Sequence, residues 1–79
     1  MHSVTHPNQI GALLSSRRKA LRLSQTDVAT RIALSQNRLS ELETDPASLT
    51  VAQLLRLLNV LELDLQIVER PAARHKTEW

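Results

Sequence analysis

Residues 24–43 read SQTDVATRIALSQNRLSELE, and this stretch predicts two short helices joined by a tight turn. Ser24 and Asp27 have the spacing of a capping box, which satisfies free backbone N–H groups at the start of a helix. Ser35 is placed to cap the second helix, and Asp45 ends it because the residue before a proline is disfavoured in the α region. The apolar residues of the stretch lie where each helix would face a core: Val28, Ala29, Ile32, Leu34, Leu39 and Leu42.

A further helix is predicted on each side of this stretch. The first runs from about Pro7, which suits a first helical turn, to Leu21, and its apolar face is formed by Ile10, Leu13, Leu14 and Leu21 with Ala20 alongside. A second capping box, Thr50 with Gln53, opens a helix that continues to about Glu62. We expect its inward stripe to consist of Val51, Leu54, Leu55, Leu58 and Leu61, with Leu57 and Val60 making it wider than one small core requires.

Residues 63–68 read LDLQIV, and their alternation predicts a β-strand. Leu63, Leu65 and Ile67 would lie on one side, and Val68 would close the strand. A single strand leaves its backbone groups unpaired, and the sequence offers no second one. The simplest solution is pairing with the same strand of another copy, so we expect a two-fold dimer. The alternative is that the preceding helix continues to Val68.

Composition narrows the class of protein. The chain has 79 residues and a formal net charge of +2, which corresponds to one small domain, and without Phe or Tyr its core must be aliphatic. It has no cysteine and no apolar run of the ~18–20 residues that span a membrane, so we expect a soluble, cytoplasmic protein. His2, His6 and His75 lack metal-ligand spacing. No catalytic arrangement is visible either, so we expect neither an enzyme nor a cofactor.

Two short helices joined by a three-residue turn are the geometry of a helix-turn-helix, which inserts its second helix into the major groove of DNA. Basic residues concentrate between positions 17 and 38. The amides of Gln36 and Asn37 suit adenine, and the guanidinium of Arg38 suits guanine. Glu41, one turn beyond Asn37, could accept the N4–H of cytosine, but it is expected to face solvent. The side chains placed for phosphate contacts are Ser24, Gln25, Thr26, Ser35 and Ser40.

The stretch LSQTDVATRIALSQNRLSELE resembles the core of the XRE family, the group of λ- and 434-type repressors. The resemblance extends over about residues 7–63. It implies a λ-repressor-like fold, a dimer on palindromic operator DNA, and a structural ion pair between Arg18 and Glu43. One departure is Ala33, where the family usually has glycine. A left-handed conformation at Ala33 would cost roughly 1 kcal/mol.

The C-terminal third, SLTVAQLLRLLNVLELDLQIVER followed by a polar tail that ends in EW, is similar to the HipB-type antitoxins. This resemblance implies an antitoxin that represses its own operon and neutralises a HipA-like Ser/Thr kinase toxin. It also implies that Leu63–Val68 pair across the dimer and that Trp79 anchors the kinase. Two alternatives stay open: a stand-alone repressor without a kinase partner, and an interaction adaptor that uses the fold without DNA.

Taken together, the sequence predicts an all-α bundle of four to five helices with one C-terminal β-strand paired across a homodimer. Residues 1–6 are expected to be a flexible N-terminus, and residues 7–69 to form the DNA-binding and dimerisation domain. Residues 70–79 are expected to be a disordered tail because they are polar and charged, with few groups to bury.

Overall fold

The computed structural model describes residues 3–70. Within this range it contains four α-helices and one 3-10 helix: α1 (Pro7–Ala20), α2 (Gln25–Arg31), α3 (Gln36–Thr44), the 3-10 helix (Pro46–Ser48) and α4 (Val51–Val60). The prediction of an all-α bundle with four to five helices is therefore confirmed. None of the helices described in residues 3–70 is long and apolar enough to cross a membrane.

The predicted helix starts are present. The backbone N–H of Asp27 donates to Ser24 Oγ at 2.9 Å, and that of Arg38 donates to Ser35 Oγ at 3.0 Å. Thr50 and Gln53 form the second capping box. Helix α1 begins at Pro7 as predicted, with a cap that was not predicted: Oε1 of Gln9 accepts the backbone N–H groups of Thr5 at 2.6 Å and of His6 at 3.0 Å. Residues 5 and 6, which the sequence assigned to a flexible segment, are thus bonded to the first helix.

Three of the helices end by the same device. The residue after each C-cap has a positive φ, namely 60° at Arg22, 59° at Ala33 and 59° at Glu62. The leucine that follows donates its N–H back into the helix, from Leu23 to Arg18 O, from Leu34 to Ala29 O and from Leu63 to Leu58 O. These leucines also pack against the core. The pattern is the Schellman motif, here built without glycine. Ala33 therefore adopts the left-handed conformation, at the position where the XRE family usually has glycine.

The core is aliphatic, and all four helices or their end caps contribute to it: Leu14, Val28, Ala29, Ile32, Leu39, Leu42, Leu57 and Leu61 are buried. The predicted inward stripe of α4 is partly wrong. Leu57 and Leu61 form its buried centre, whereas Val51 is 71% exposed and Leu55 is 44% exposed. The helix is rotated in this way because it packs against α2, and because Arg17 of α1 donates to the Leu61 carbonyl at 2.9 Å.

The close crossing of α1 and α3 depends on the single glycine of the chain. A β-carbon at Gly11 would collide with the backbone carbonyl of Glu43. The absence of a side chain therefore lets the two helices approach closely enough for their polar side chains to meet. The sequence carries no local signal of this contact, because Gly11 lies in an ordinary helical pattern.

The segment after α4 has no regular structure from residue 63 to residue 70. The alternative in which the helix continues to Val68 is wrong, because α4 ends at Val60. Leu63 packs on the core of its own chain, whereas Leu65 and Val68 are exposed and Ile67 is 92% exposed. A strand that needs a second copy stays a prediction. The predicted anchor Trp79 and the tail from Pro71 lie outside the described residues.

Candidate nucleic-acid interface

Helix α3 has a buried side and a polar outward side. Leu39 and Leu42 are buried beneath α1 and α2. Because helical residues repeat every 3.6 positions, the side opposite these leucines contains Asn37, Glu41 and Thr44, and all three are exposed. Gln36, Arg38 and Ser40 lie at the margins of this outward face. This is the surface that a helix-turn-helix presents to DNA.

An ion pair fixes α3 to α1. Arg18 Nε donates to Glu43 Oε2 at 2.7 Å, and Arg18 Nη2 donates to Glu43 Oε1 at 3.1 Å. This two-pronged geometry is the strongest that a guanidinium and a carboxylate form. The side chains are only 11% and 8% exposed, so water screens them weakly. Arg18 Nη1 also donates to the Leu23 carbonyl at 3.0 Å, which satisfies the guanidinium further.

The ion pair continues as a chain of hydrogen bonds to the start of α3. Gln25 Nε2 donates to Glu43 Oε1 at 3.0 Å, and Gln36 Nε2 donates to Gln25 Oε1 at 2.5 Å. Gln25, which was predicted to contact phosphate, therefore also links the ion pair to a predicted base-reading residue. Gln36 keeps its Oε1 and one N–H for an outside partner, because an amide carries two donor hydrogens and a carbonyl.

Arg38 is held at the edge of α3 rather than directed into solvent. Its Nη1 donates to Glu41 Oε1 at 3.1 Å, and its Nη2 donates to Ser48 Oγ at 3.3 Å. Glu41 is 68% exposed, which agrees with the expectation that it faces solvent. That expectation did not include its pairing with Arg38. The two opposite charges therefore lie together on the helix that would enter the groove.

The predicted phosphate contacts surround this helix pair. Ser24 and Ser35 are exposed and accept cap hydrogen bonds through Oγ. The hydroxyl hydrogen of Ser35 is left to donate outward, whereas that of Ser24 bonds the Asp27 carboxylate. Thr26 is exposed, and Ser40 is half-buried with its carbonyl accepting the hydroxyl of Thr44. Thr26 and Ser35 thus present hydroxyl donors at the starts of α2 and α3, where anions are favoured by the helix dipole.

Asp27 contributes to the order of this region. The backbone N–H and the hydroxyl of Ser24 both bond the Asp27 carboxylate, and they hold the pKa of that carboxyl below its ordinary value. The capping box at the start of α2 is therefore intact at neutral pH. Among residues 3–70 no three His, Cys, Asp or Glu side chains are grouped so as to hold a metal ion.

Not all of the basic residues of the 17–38 stretch are available to DNA. Arg17 Nε donates to the Leu61 carbonyl, and Arg17 Nη2 lies 3.9 Å from Glu62 Oε1. Arg18 is in the buried ion pair with Glu43. Lys19, Arg22 and Arg31 are exposed. The surface charge available for phosphate neutralisation is consequently smaller than the sequence count suggests.

Comparison with known proteins gives the same fold. The helix-turn-helix family profile matches residues 14–68. Solved structures with this fold include a HipB variant–O2 20mer complex (TM-score 0.81, 21% identity, covering 90% of this chain and 99% of that chain). They also include a HipA–HipB–O2–O3 complex (TM-score 0.81, 21% identity, covering 90% of this chain and 100% of that chain). No curated protein sequence matches the chain.

Proposed function

The chain belongs to the XRE type of the helix-turn-helix family, and on this basis we propose that it is a bacterial antitoxin that represses its own operon as a DNA-bound dimer. The observation that carries the proposal is the polar outward face of α3, anchored to α1 through the Arg18–Glu43–Gln25–Gln36 chain of bonds. This chain of bonds holds the exposed amide of Gln36 in a fixed place on that face. The proposed protein is a non-enzymatic regulator of the bacterial cytoplasm.

In the proposed complex α3 lies in the major groove of operator DNA. Gln36 and Asn37 present amides that match the N6 and N7 atoms of adenine. The proposed phosphate contacts are the hydroxyls of Thr26 and Ser35, the amide of Gln25, and the residues Ser24 and Ser40. These contacts fix the position of the helix without reading sequence. The bond between Gln36 and Gln25 holds one base-reading amide in place before DNA arrives, which lowers the ordering cost of binding.

Asn37 gives the cleanest test of this mode of binding, because it is exposed and lies outside the hydrogen-bond chain. We expect Asn37→Ala to weaken binding to duplex DNA from the protein's own promoter by about 5-fold or more, as for loss of one base contact. Asn59→Ala is the matched control, since Asn59 is an exposed amide at the far end of α4. Equal affinities of the two variants in a fluorescence-anisotropy titration would refute α3 as the reading helix.

Dimerisation is proposed through α4 and the segment that follows it. Val51, Leu55, Leu65, Ile67 and Val68 are large apolar side chains that this single chain leaves exposed. Pairing of residues 63–68 with a second copy would satisfy their backbone groups and cover these side chains. Two α3 helices would then face half-sites about one helical turn apart, ~34 Å, on a palindromic operator.

The dimer is tested by Ile67→Asp, with Val4→Asp as the matched control because Val4 is also exposed but lies at the other end of the chain. Sedimentation equilibrium should give a dimer for the wild type and for Val4→Asp. It should give a monomer for Ile67→Asp, because a carboxylate cannot be buried in the apolar contact without a partner. A dimeric Ile67→Asp variant would exclude this surface as the interface.

The proposed partner is a HipA-like Ser/Thr kinase toxin, and support comes from the fold shared with HipB in a HipA–HipB–O2–O3 complex. Trp79 is the proposed anchor, because a tryptophan buries a large apolar area at an interface. Co-purification of the full chain with the kinase of its own operon should be lost in Trp79→Ala and kept in His75→Ala. If no kinase binds the wild type while operator binding is intact, the protein is a stand-alone repressor.

A further inference from the structure

The charged pair Arg38–Glu41 has no part in the contacts assigned above to Asn37 or the serines. Arg38 Nη1 donates to Glu41 Oε1 at 3.1 Å. The side chain of Glu41 is 68% exposed and lies beside Asn37 on the outward face of α3. A carboxylate at this place is costly for DNA binding in general, because DNA presents one negative charge about every 1.7 Å along its axis. A residue whose role was non-specific affinity would be neutral or basic here.

A carboxylate is an acceptor without donors, which limits what it can meet in the major groove. Cytosine N4 and adenine N6 are the donors there, whereas guanine N7 and O6, adenine N7 and thymine O4 are acceptors that repel it. The guanidinium beside it has the opposite requirement, since it only donates and suits O6 and N7 of guanine. Together the pair offers donors for the O6 and N7 atoms of guanine and an acceptor for the N4 amino group of cytosine. These are the major-groove atoms of one G·C base pair.

From this match we infer that Arg38 and Glu41 act as one unit that reads a single G·C base pair in each half-site, Arg38 on the guanine and Glu41 on the cytosine amino group. The inference rests on the proposed DNA-binding function. The pair has no net charge, so it adds discrimination against other sequences and little to overall attraction for DNA.

The test is selection of full-length protein on a library of duplexes with randomised centres, comparing the wild type with Glu41→Ala and Arg38→Ala. The wild type should enrich a G·C pair at one position of each half-site. Both variants should lose that preference at that same position by about 5-fold or more, while the other positions keep theirs. Glu62→Gln is the control: it removes an exposed carboxylate at the end of α4, and its selected sequences should equal those of the wild type.

A second readout separates base reading from phosphate contact. If Arg38 contacts a base, Arg38→Ala leaves the slope of log affinity against log salt unchanged, whereas loss of a phosphate contact reduces the slope by about 0.9. Glu41→Ala should in addition bind random duplex more tightly than the wild type does.

The possible outcomes separate the DNA-binding function from the paired readout by Arg38 and Glu41. If the wild type enriches no sequence at all, the DNA-binding function itself is refuted. If the wild type is selective but Glu41→Ala selects the same sequences with the same stringency, the paired readout is overturned and the proposed function stands. A gain in affinity by Glu41→Ala that is equal for all sequences overturns it too, because it assigns Glu41 to general repulsion.

Discussion

Replacement of Glu43 by alanine should destabilise the protein more than the loss of any exposed charge. The substitution removes the acceptor of three hydrogen bonds, two from Arg18 and one from Gln25. It leaves the Arg18 guanidinium, 11% exposed, with the Leu23 carbonyl as its remaining partner. The physical cost is therefore that of an uncompensated charge in a poorly hydrated place, rather than that of a lost surface attraction.

The loss in free energy of unfolding on Glu43→Ala follows from this geometry. Removal of one member of a buried ion pair costs about 3–5 kcal/mol, and we expect the lower end because Arg18 keeps its bond to Leu23. A chain of this size has a total free energy of unfolding of about 4–12 kcal/mol. At roughly 4–8 °C per kcal/mol, the melting temperature should fall by about 15 °C. The exposed pair in α3 gives the control, and Glu41→Ala should cost about 0.5 kcal/mol or less.

Urea unfolding followed by far-UV circular dichroism measures these differences, at one protein concentration because dimerisation adds to apparent stability. The double substitution Arg18→Met with Glu43→Leu makes the test sharper. It removes both charges and fills the same space, so it should recover most of the stability lost in Glu43→Ala. It should not recover promoter binding, because Gln25 still lacks its acceptor. A Glu43→Ala variant within about 1 kcal/mol of the wild type would refute this reasoning.

Other consequences of the fold are open to the same unfolding assay. Gly11→Ala should lower the free energy of unfolding by about 1–3 kcal/mol, since its methyl group meets the Glu43 carbonyl and the backbone must move; a stabilised variant would show that α1 and α3 do not approach closely. Ala33→Gly should raise it by about 1 kcal/mol, because glycine adopts the φ of 59° without strain; an unchanged value would mean that the gain is cancelled in the unfolded chain. The pKa of Asp27 is lowered by its bonds to Ser24. The stabilisation from Asp27 is therefore present above the ordinary value of 3.8 and lost as the pH falls through the folded-state pKa. In a titration of stability into acid, Asp27→Asn should show a shallower loss than the wild type, and parallel curves would exclude the effect.

The helix starts could be predicted from sequence because they depend on residues three positions apart. Ser24 with Asp27 and Thr50 with Gln53 form their bonds within one turn, so local spacing determines them. The start of α1 at Pro7 was predicted as well, from the preference of proline for a first helical turn. Its capping box through Gln9 was not predicted, because the N-cap is His6 rather than a serine or threonine. The positive φ at Ala33 was indicated only by the family resemblance, which has glycine at this position.

The rotation of α4 and the partner of Gln25 could not be predicted in the same way. Seven apolar residues in ten allow several inward faces, and the contact with α2 selects the one centred on Leu57. Gln25 stood at the start of a helix, where phosphate contact was the natural prediction. Its bond to Glu43 depends on how closely α1 and α3 approach, and that distance is set by Gly11. Such features arise from tertiary packing and leave no local signal.

The bond between Gln36 and Gln25 has a consequence for how this protein could diverge in evolution. A mutation at Gln36 that suits a new base also leaves the side-chain carbonyl of Gln25 without its donor. Because Gln25 bonds Glu43, the same mutation disturbs the ion pair that joins α1 and α3. Asn37 lies outside this chain of hydrogen bonds, so its substitution leaves those bonds intact. Drift in operator preference should therefore proceed through Asn37 first. A lineage that alters Gln36 should carry a second, compensating change at Gln25, so we expect these two positions to covary among related proteins.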